Sequence, residues 1–137
     1  LPWLETIMGR SKPNEDRGDR WVLVADRDPQ AALHLAGYFS RRGFRTYHTT
    51  QGEEAMLLAN SRRLLLAIID VSLLDMSGHA LAQRLKEIDP ELPVLMTSGD
   101  YAPELEAAAR RVGILYYAHK PADYELIGGV VDKALKN

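Results

Sequence analysis

The sequence predicts a doubly wound α/β domain built on a parallel sheet, and three observations carry that prediction. Short apolar runs alternate along the chain with helical patterns; the longest run, Leu64–Ile69, has no polar alternation; and several runs stop at a charged or hydroxyl residue. Alternating β and α elements favour a parallel sheet covered on both faces by right-handed crossovers. A continuous apolar run suits a strand buried on both sides.

Trp21–Ala25 is the first strand, and Asp26, Arg27 and Asp28 end it. Pro29 suits the first turn of a helix in which Ala32, Leu35, Ala36 and Phe39 recur at helical spacing, with Gly43 as its cap. Phe44–His48 is a second strand, and Gln51–Asn60 a short helix with Ala55, Leu58 and Ala59 inward. Leu64–Asp70 is the third strand, and Asp75, Ser77 and Gly78 read as the turn into the next helix. That helix buries Gly78, Leu81, Leu85 and Ile88 and ends before Pro90. Leu92–Met96 is the fourth strand, running into Thr97, Ser98 and Gly99. A helix over Pro103–Val112 turns Leu105, Ala108, Ala109 and Val112 inward. Ile114–Ala118 is the fifth strand, and Ile127, Val130, Val131 and Ala134 line a last helix. Five such units are commonly arranged as a flavodoxin-like (βα)5 sheet in the order 2-1-3-4-5, whose switch point lies between the first and third strands.

A chain of 137 residues with 46% hydrophobic and 26% charged residues is ordinary for one globular domain. The net charge of −2 gives no reason to expect nucleic acid or an anionic membrane as partner. There is no cysteine, which excludes disulfides, thiolate metal sites and cysteine catalysis and fits a reducing, cytoplasmic setting. No apolar run approaches the roughly 20 residues of a spanning helix. Residues 1–20 read as an N-terminal extension or interdomain linker and residues 21–137 as the domain.

All strands of a parallel sheet end on one side, so Asp26, Arg27, Asp28, Asp70, Thr97, Ser98 and Lys120 collect at one crevice. The chain has neither G-x-G-x-x-G nor G-x-x-x-x-G-K-[ST], which removes support for dinucleotide and P-loop sites. His34, His48, His79 and His119 lack metal-ligand spacing, and G-x-S-x-G is absent. What remains is a nucleophilic carboxylate able to accept a phosphoryl group, with hard oxygen ligands for Mg²⁺, an amine and a hydroxyl.

In this order and spacing, VLVADRDP (22–29), IIDVSLLDMSG (68–78), PVLMTSG (93–99) and YYAHKP (116–121) resemble a response-regulator receiver domain, from about Trp21 to the C-terminus. The interval from Ser98 to Lys120 matches the family's spacing. The resemblance implies that Asp70 is the phosphoacceptor, served by a histidine kinase or histidine phosphotransfer protein. It implies that Lys120 pairs with the acceptor and then with the phosphoryl group. Ser98 aligns with the hydroxyl that rotates inward, Thr97 being the neighbouring alternative, and Tyr117 with the switch aromatic. Lys120–Pro121 aligns with a peptide bond that is often cis. Phosphorylation would then remodel the surface of the fourth helix, fifth strand and fifth helix, with Tyr101 and Tyr117 on or under it.

Receivers carry two adjacent acids after the first strand; here Asp26 fits the first and Arg27 replaces the second, the direct Mg²⁺ ligand. The change shifts local charge by two units, and unit charges ~4 Å apart interact by ~4 kcal/mol at an effective dielectric of 20. Either Arg27 turns outward and leaves Asp26, Asp28 and Asp70 to hold Mg²⁺, or it pairs with Asp70. The presence of Asp70, Ser98 and Lys120 favours the first. Leu74 also stands where the family often has proline. The start at Leu1 and the lack of an output domain after Asn137 suggest a stand-alone regulator or, preferentially, the terminal receiver of a hybrid kinase. The rivals are a pseudo-receiver that docks without being phosphorylated and a flavodoxin-like cofactor enzyme. A homodimer is compatible with the sequence, although the last helix carries no specific pairing signal.

Overall fold

A computed structural model of the chain describes residues 19–120 together with Leu126 and Ile127. The elements run β1 (Arg20–Ala25), α1 (Pro29–Ser40), β2 (Arg45–Thr49), α2 (Gly52–Ser61), β3 (Arg63–Asp70), α3 (Gly78–Ile88), β4 (Val94–Ser98), α4 (Pro103–Val112) and β5 (Tyr116–His119). All four strand pairings are parallel and the order is β2-β1-β3-β4-β5, the expected doubly wound arrangement.

Strand β3 is buried at every residue after Arg63 because both of its faces are covered. Alternate side chains of the sheet feed two cores, as the period of two requires. Leu23, Ala25, Ala67, Ile69 and Met96 pack against Ala55 and Met56 of α2, Leu81 and Leu85 of α3 and Ala109 of α4. On the other face Val22, Val24, Leu66, Ile68 and Leu95 pack against Leu35, Ala36 and Phe39 of α1 and against Ile127. A register shift against Trp21 and Val22 of β1 falls at Leu65, so that Leu65 and Leu66 join the same core. The irregularity and the double coverage together explain why the run shows no alternation.

Several edges differ from expectation. Pairing in β4 begins at Val94 rather than Leu92, and in β5 at Tyr116 rather than Ile114. Leu92 and Ile114 are buried, but in the approaches to their strands, so apolar character overestimates the strand starts. Ile88 is 47% exposed in the last turn of α3, beyond the reach of the core, and Ala82 is buried instead. Arg41 is the C-cap of α1, and Gly43, at φ 88°, lies two residues further on in the left-handed turn into β2. Only Ala109 of α4 is fully buried; Leu105, Ala108 and Val112 are half-buried. The expected extension falls mainly on residues 1–18, outside the described residues, while β1 already begins at Arg20. Of the expected last helix, Ile127 is described and buried; Val130, Val131 and Ala134 lie outside, as does Pro121 with its expected cis bond.

Candidate functional site

The carboxyl ends of β1, β3, β4 and β5 meet, and each brings one functional group. Asp26 follows β1, its backbone N–H donating to Thr49 O at 3.0 Å. Its side chain is 2% exposed, and Oδ1 accepts the Asp28 N–H at 2.9 Å. Asp70 closes β3 and is 7% exposed. Its Oδ2 accepts the Ser72 N–H at 3.0 Å, which fixes the carboxylate against its own loop. Lys120 follows β5, held by its N–H to Ser98 O at 2.9 Å.

The Lys120 ammonium lies between the two acids, with Nζ 2.5 Å from Asp26 Oδ2 and 2.8 Å from Asp70 Oδ1. One cation shared by two carboxylates leaves the cluster with one net negative charge. Such an arrangement relieves the repulsion of the two acids while keeping the site attractive to a cation. The structure therefore brings Asp26, Asp70 and Lys120 together.

The other candidates lie differently. Arg27 is exposed, and the cation that bridges Asp26 and Asp70 is the Lys120 ammonium. Asp28 is exposed, and its Oδ1 accepts the Gln30 N–H at 3.0 Å as the N-cap of α1. The Ser98 hydroxyl is fully buried and occupied by its own loop, donating to Asp100 O and accepting the Asp100 N–H, each at 2.9 Å. Thr97, one residue earlier and in register with Asp70, instead places Oγ1 3.3 Å from Asp70 Oδ1. Tyr117 is 5% exposed, its phenol oxygen buried and without a hydrogen-bond partner among the described residues. His119 meets it edge-on at 5.3 Å and stacks on the exposed Tyr101 at 4.4 Å.

Two contributions escaped the sequence reading. Gly78 does more than turn the chain into α3: a Cβ there would lie 1.9 Å from the Asp70 carbonyl oxygen, so only glycine lets the helix start pack against the end of β3. Asp75 is more than a turn residue, because its carboxylate accepts the Gly52 N–H at 2.6 Å and the Glu53 N–H at 3.0 Å. Gln51, the N-cap residue of α2, makes no side-chain cap bond, so Asp75 caps that helix from the β3–α3 loop. The Glu53 N–H, ahead of the smaller opposing effect of burial, holds its carboxyl below the usual value of 3.8.

Among the described residues no group of three His, Cys, Asp or Glu is arranged around one metal position. Mg²⁺ does not need such a cage: it keeps several waters and takes one or two carboxylates together with phosphate oxygens. Asp26 and Asp70, left with one net negative charge by the shared Lys120 and with Arg27 exposed, fit that requirement.

The family model for the response regulator receiver domain matches residues 22–131. The chain is 27% identical over 114 residues to the transcriptional regulatory protein ZraR of Escherichia coli O157:H7, covering 83% of this chain and 26% of that protein. It thus spans about a quarter of the length of that relative. A receiver domain protein described as CheY-like, from Methanospirillum hungatei JF-1, superposes with a TM-score of 0.76 at 19% identity, covering 85% of this chain and 94% of that one. A Burkholderia pseudomallei response regulator, crystallised with a phosphorylated aspartic acid, calcium ion and citrate, gives 0.72 at 27% identity, with 87% and 75% covered. Among the described residues no helix is long and apolar enough to cross a membrane.

Proposed function

The chain belongs to the response regulator receiver domain family, and from that premise we propose that Asp70 accepts a phosphoryl group from a phosphohistidine on a histidine kinase or histidine phosphotransfer protein. The observation that supports this reading most is the shared ammonium, 2.5 Å from Asp26 and 2.8 Å from Asp70 at the strand ends. An Asp70 carboxylate oxygen attacks phosphorus; the P–N bond breaks as the P–O bond forms, and the imidazole leaves with the bonding pair and takes a proton from water. Lys120 is placed to follow the charge, passing from the carboxylate to the phosphoryl oxygens. Asp26 and Asp70 would hold Mg²⁺, which when bound neutralises phosphoryl charge and orients the transferred group. Ser98 and Tyr117 form the proposed switch pair: freeing the Ser98 hydroxyl means giving up its two bonds to Asp100, and Tyr117 already occupies a buried position beside the surface of α4 and β5. The related Burkholderia protein with its phosphorylated aspartic acid supports the same chemistry. A cytoplasmic setting is part of the proposal.

The experiment is incubation with Mg²⁺ and acetyl phosphate followed by intact mass, with Asp70→Asn beside it. Gain of one phosphoryl mass by the natural chain and none by the variant is expected. Arg27 in place of an acid favours a second reading, a pseudo-receiver that docks partners without phosphorylation. Labelling that appears only after Arg27→Asp would establish that reading and refute the first.

A further inference from the structure

We propose that Thr97 is a positioning residue for the acceptor, a role that rests on Asp70 being phosphorylated and is distinct from that of Ser98. Thr97 is 1% exposed and faces Asp70 across the β3–β4 ladder, where the two residues are register partners. Its hydroxyl donates to Asp70 Oδ1 at 3.3 Å. The neighbouring hydroxyl is on the other side of the strand, committed to both the carbonyl and the N–H of Asp100. Successive side chains of a strand point to opposite faces, so only one of this pair reaches the resting carboxylate.

The consequence lies in how the acceptor is oriented. Oδ1 receives two donors, Thr97 Oγ1 and Lys120 Nζ, while Oδ2 receives the Ser72 N–H. Three donors from three different segments fix the plane of the carboxylate, and the two on Oδ1 draw charge from it. Oδ2, with a single neutral donor, is left as the better nucleophile. Attack from a fixed plane avoids the rotational search of a free side chain, which is the ordinary gain from orientation. A buried hydroxyl left without a partner is costly, so Thr97 has reason to stay on Asp70 until the phosphoryl group arrives.

The test compares the natural chain with Thr97→Val, which keeps the shape and removes the donor, and Thr97→Ser, which keeps the donor. Initial rates of labelling by acetyl phosphate at saturating Mg²⁺ are measured against donor concentration, and each protein is melted. The maximal rate of Thr97→Val is expected to fall roughly threefold to tenfold, the scale of one hydrogen bond. Its half-saturating donor concentration should be unchanged, and Thr97→Ser should stay within about twofold of the natural rate, well inside that single-bond scale. Thr97→Ala supplies the same deletion if the valine variant does not fold. A labelled natural chain with an equally fast Thr97→Val, or a Thr97→Ser as slow as Thr97→Val, overturns the role of the hydroxyl alone. A natural chain that takes no label overturns the phosphoacceptor reading and this one with it.

Discussion

Replacing Gly78 by alanine should damage stability and the proposed acceptor Asp70 together, because the added methyl group has nowhere to go. Its carbon would fall 1.9 Å from the Asp70 carbonyl oxygen, 2.8 Å from the Asp70 carbonyl carbon and 3.1 Å from Ile69 Cγ2. Ordinary contact begins at 3.4 Å, and the closest atom is backbone, so no rotamer change relieves the clash. The start of α3 must instead move by more than an ångström from the end of β3, straining the Gly78 N–H to Val71 O bond of 2.9 Å. Overpacking of this kind costs about 1–3 kcal/mol, and the better helix propensity of alanine returns up to ~1 kcal/mol in a helix interior, less in a first turn. A net loss of about 0.5–3 kcal/mol corresponds to a fall in Tm of roughly 2–12 °C for a domain of this size. Gly99→Ala is the internal control, since a methyl group there would meet nothing within 4 Å, and it should stay within about 0.5 kcal/mol of the natural chain. Urea and thermal unfolding measure the stability, and acetyl phosphate labelling the acceptor. A Gly78→Ala variant that melts and labels like the natural chain would refute the argument.

Asp75→Ala should cost about 0.5–2 kcal/mol, the range for losing an N-cap. Because the folded carboxyl titrates below 3.8, chiefly through the Glu53 N–H, its contribution is full above the unfolded value and is lost as pH falls through the folded one. Denaturant melts should therefore show the gap between the two proteins closing only below about pH 4; a gap already absent at pH 7 would count against the cap. Lys120→Met takes the cluster from one net negative charge to two, so calorimetric titration should show tighter Mg²⁺ binding together with slower labelling. Unchanged affinity would mean that the ammonium does not compete with the metal.

The sheet was readable because its strands are short apolar runs and because β3, covered on both faces, carries no alternation to mislead. The charged cluster was readable because it sits at strand ends: Asp26, Asp70 and Lys120 lie at the ends of such runs, and strand order brings them together. What stayed hidden depends on register or on distance along the chain. The doublet Thr97–Ser98 offers two hydroxyls, and only the pairing of Asp70 with Thr97 decides which one faces the acid. The starts of β4 and β5 were misplaced because burial of Leu92 and Ile114 precedes pairing. Asp75 gave no local signal, since the helix it caps lies earlier in the chain.

That cap also orders events in time. Helix α2 has a bare start until Asp75 arrives, and the Leu74 N–H to Thr50 O bond of 3.0 Å closes the same gap. During synthesis from the N-terminus, α2 must wait for the strand behind it and for the bend beyond that strand before its first turn is secured. Non-local closure of this kind slows folding, so the segment around Gly52 should be among the last to gain protection from solvent exchange as the chain matures.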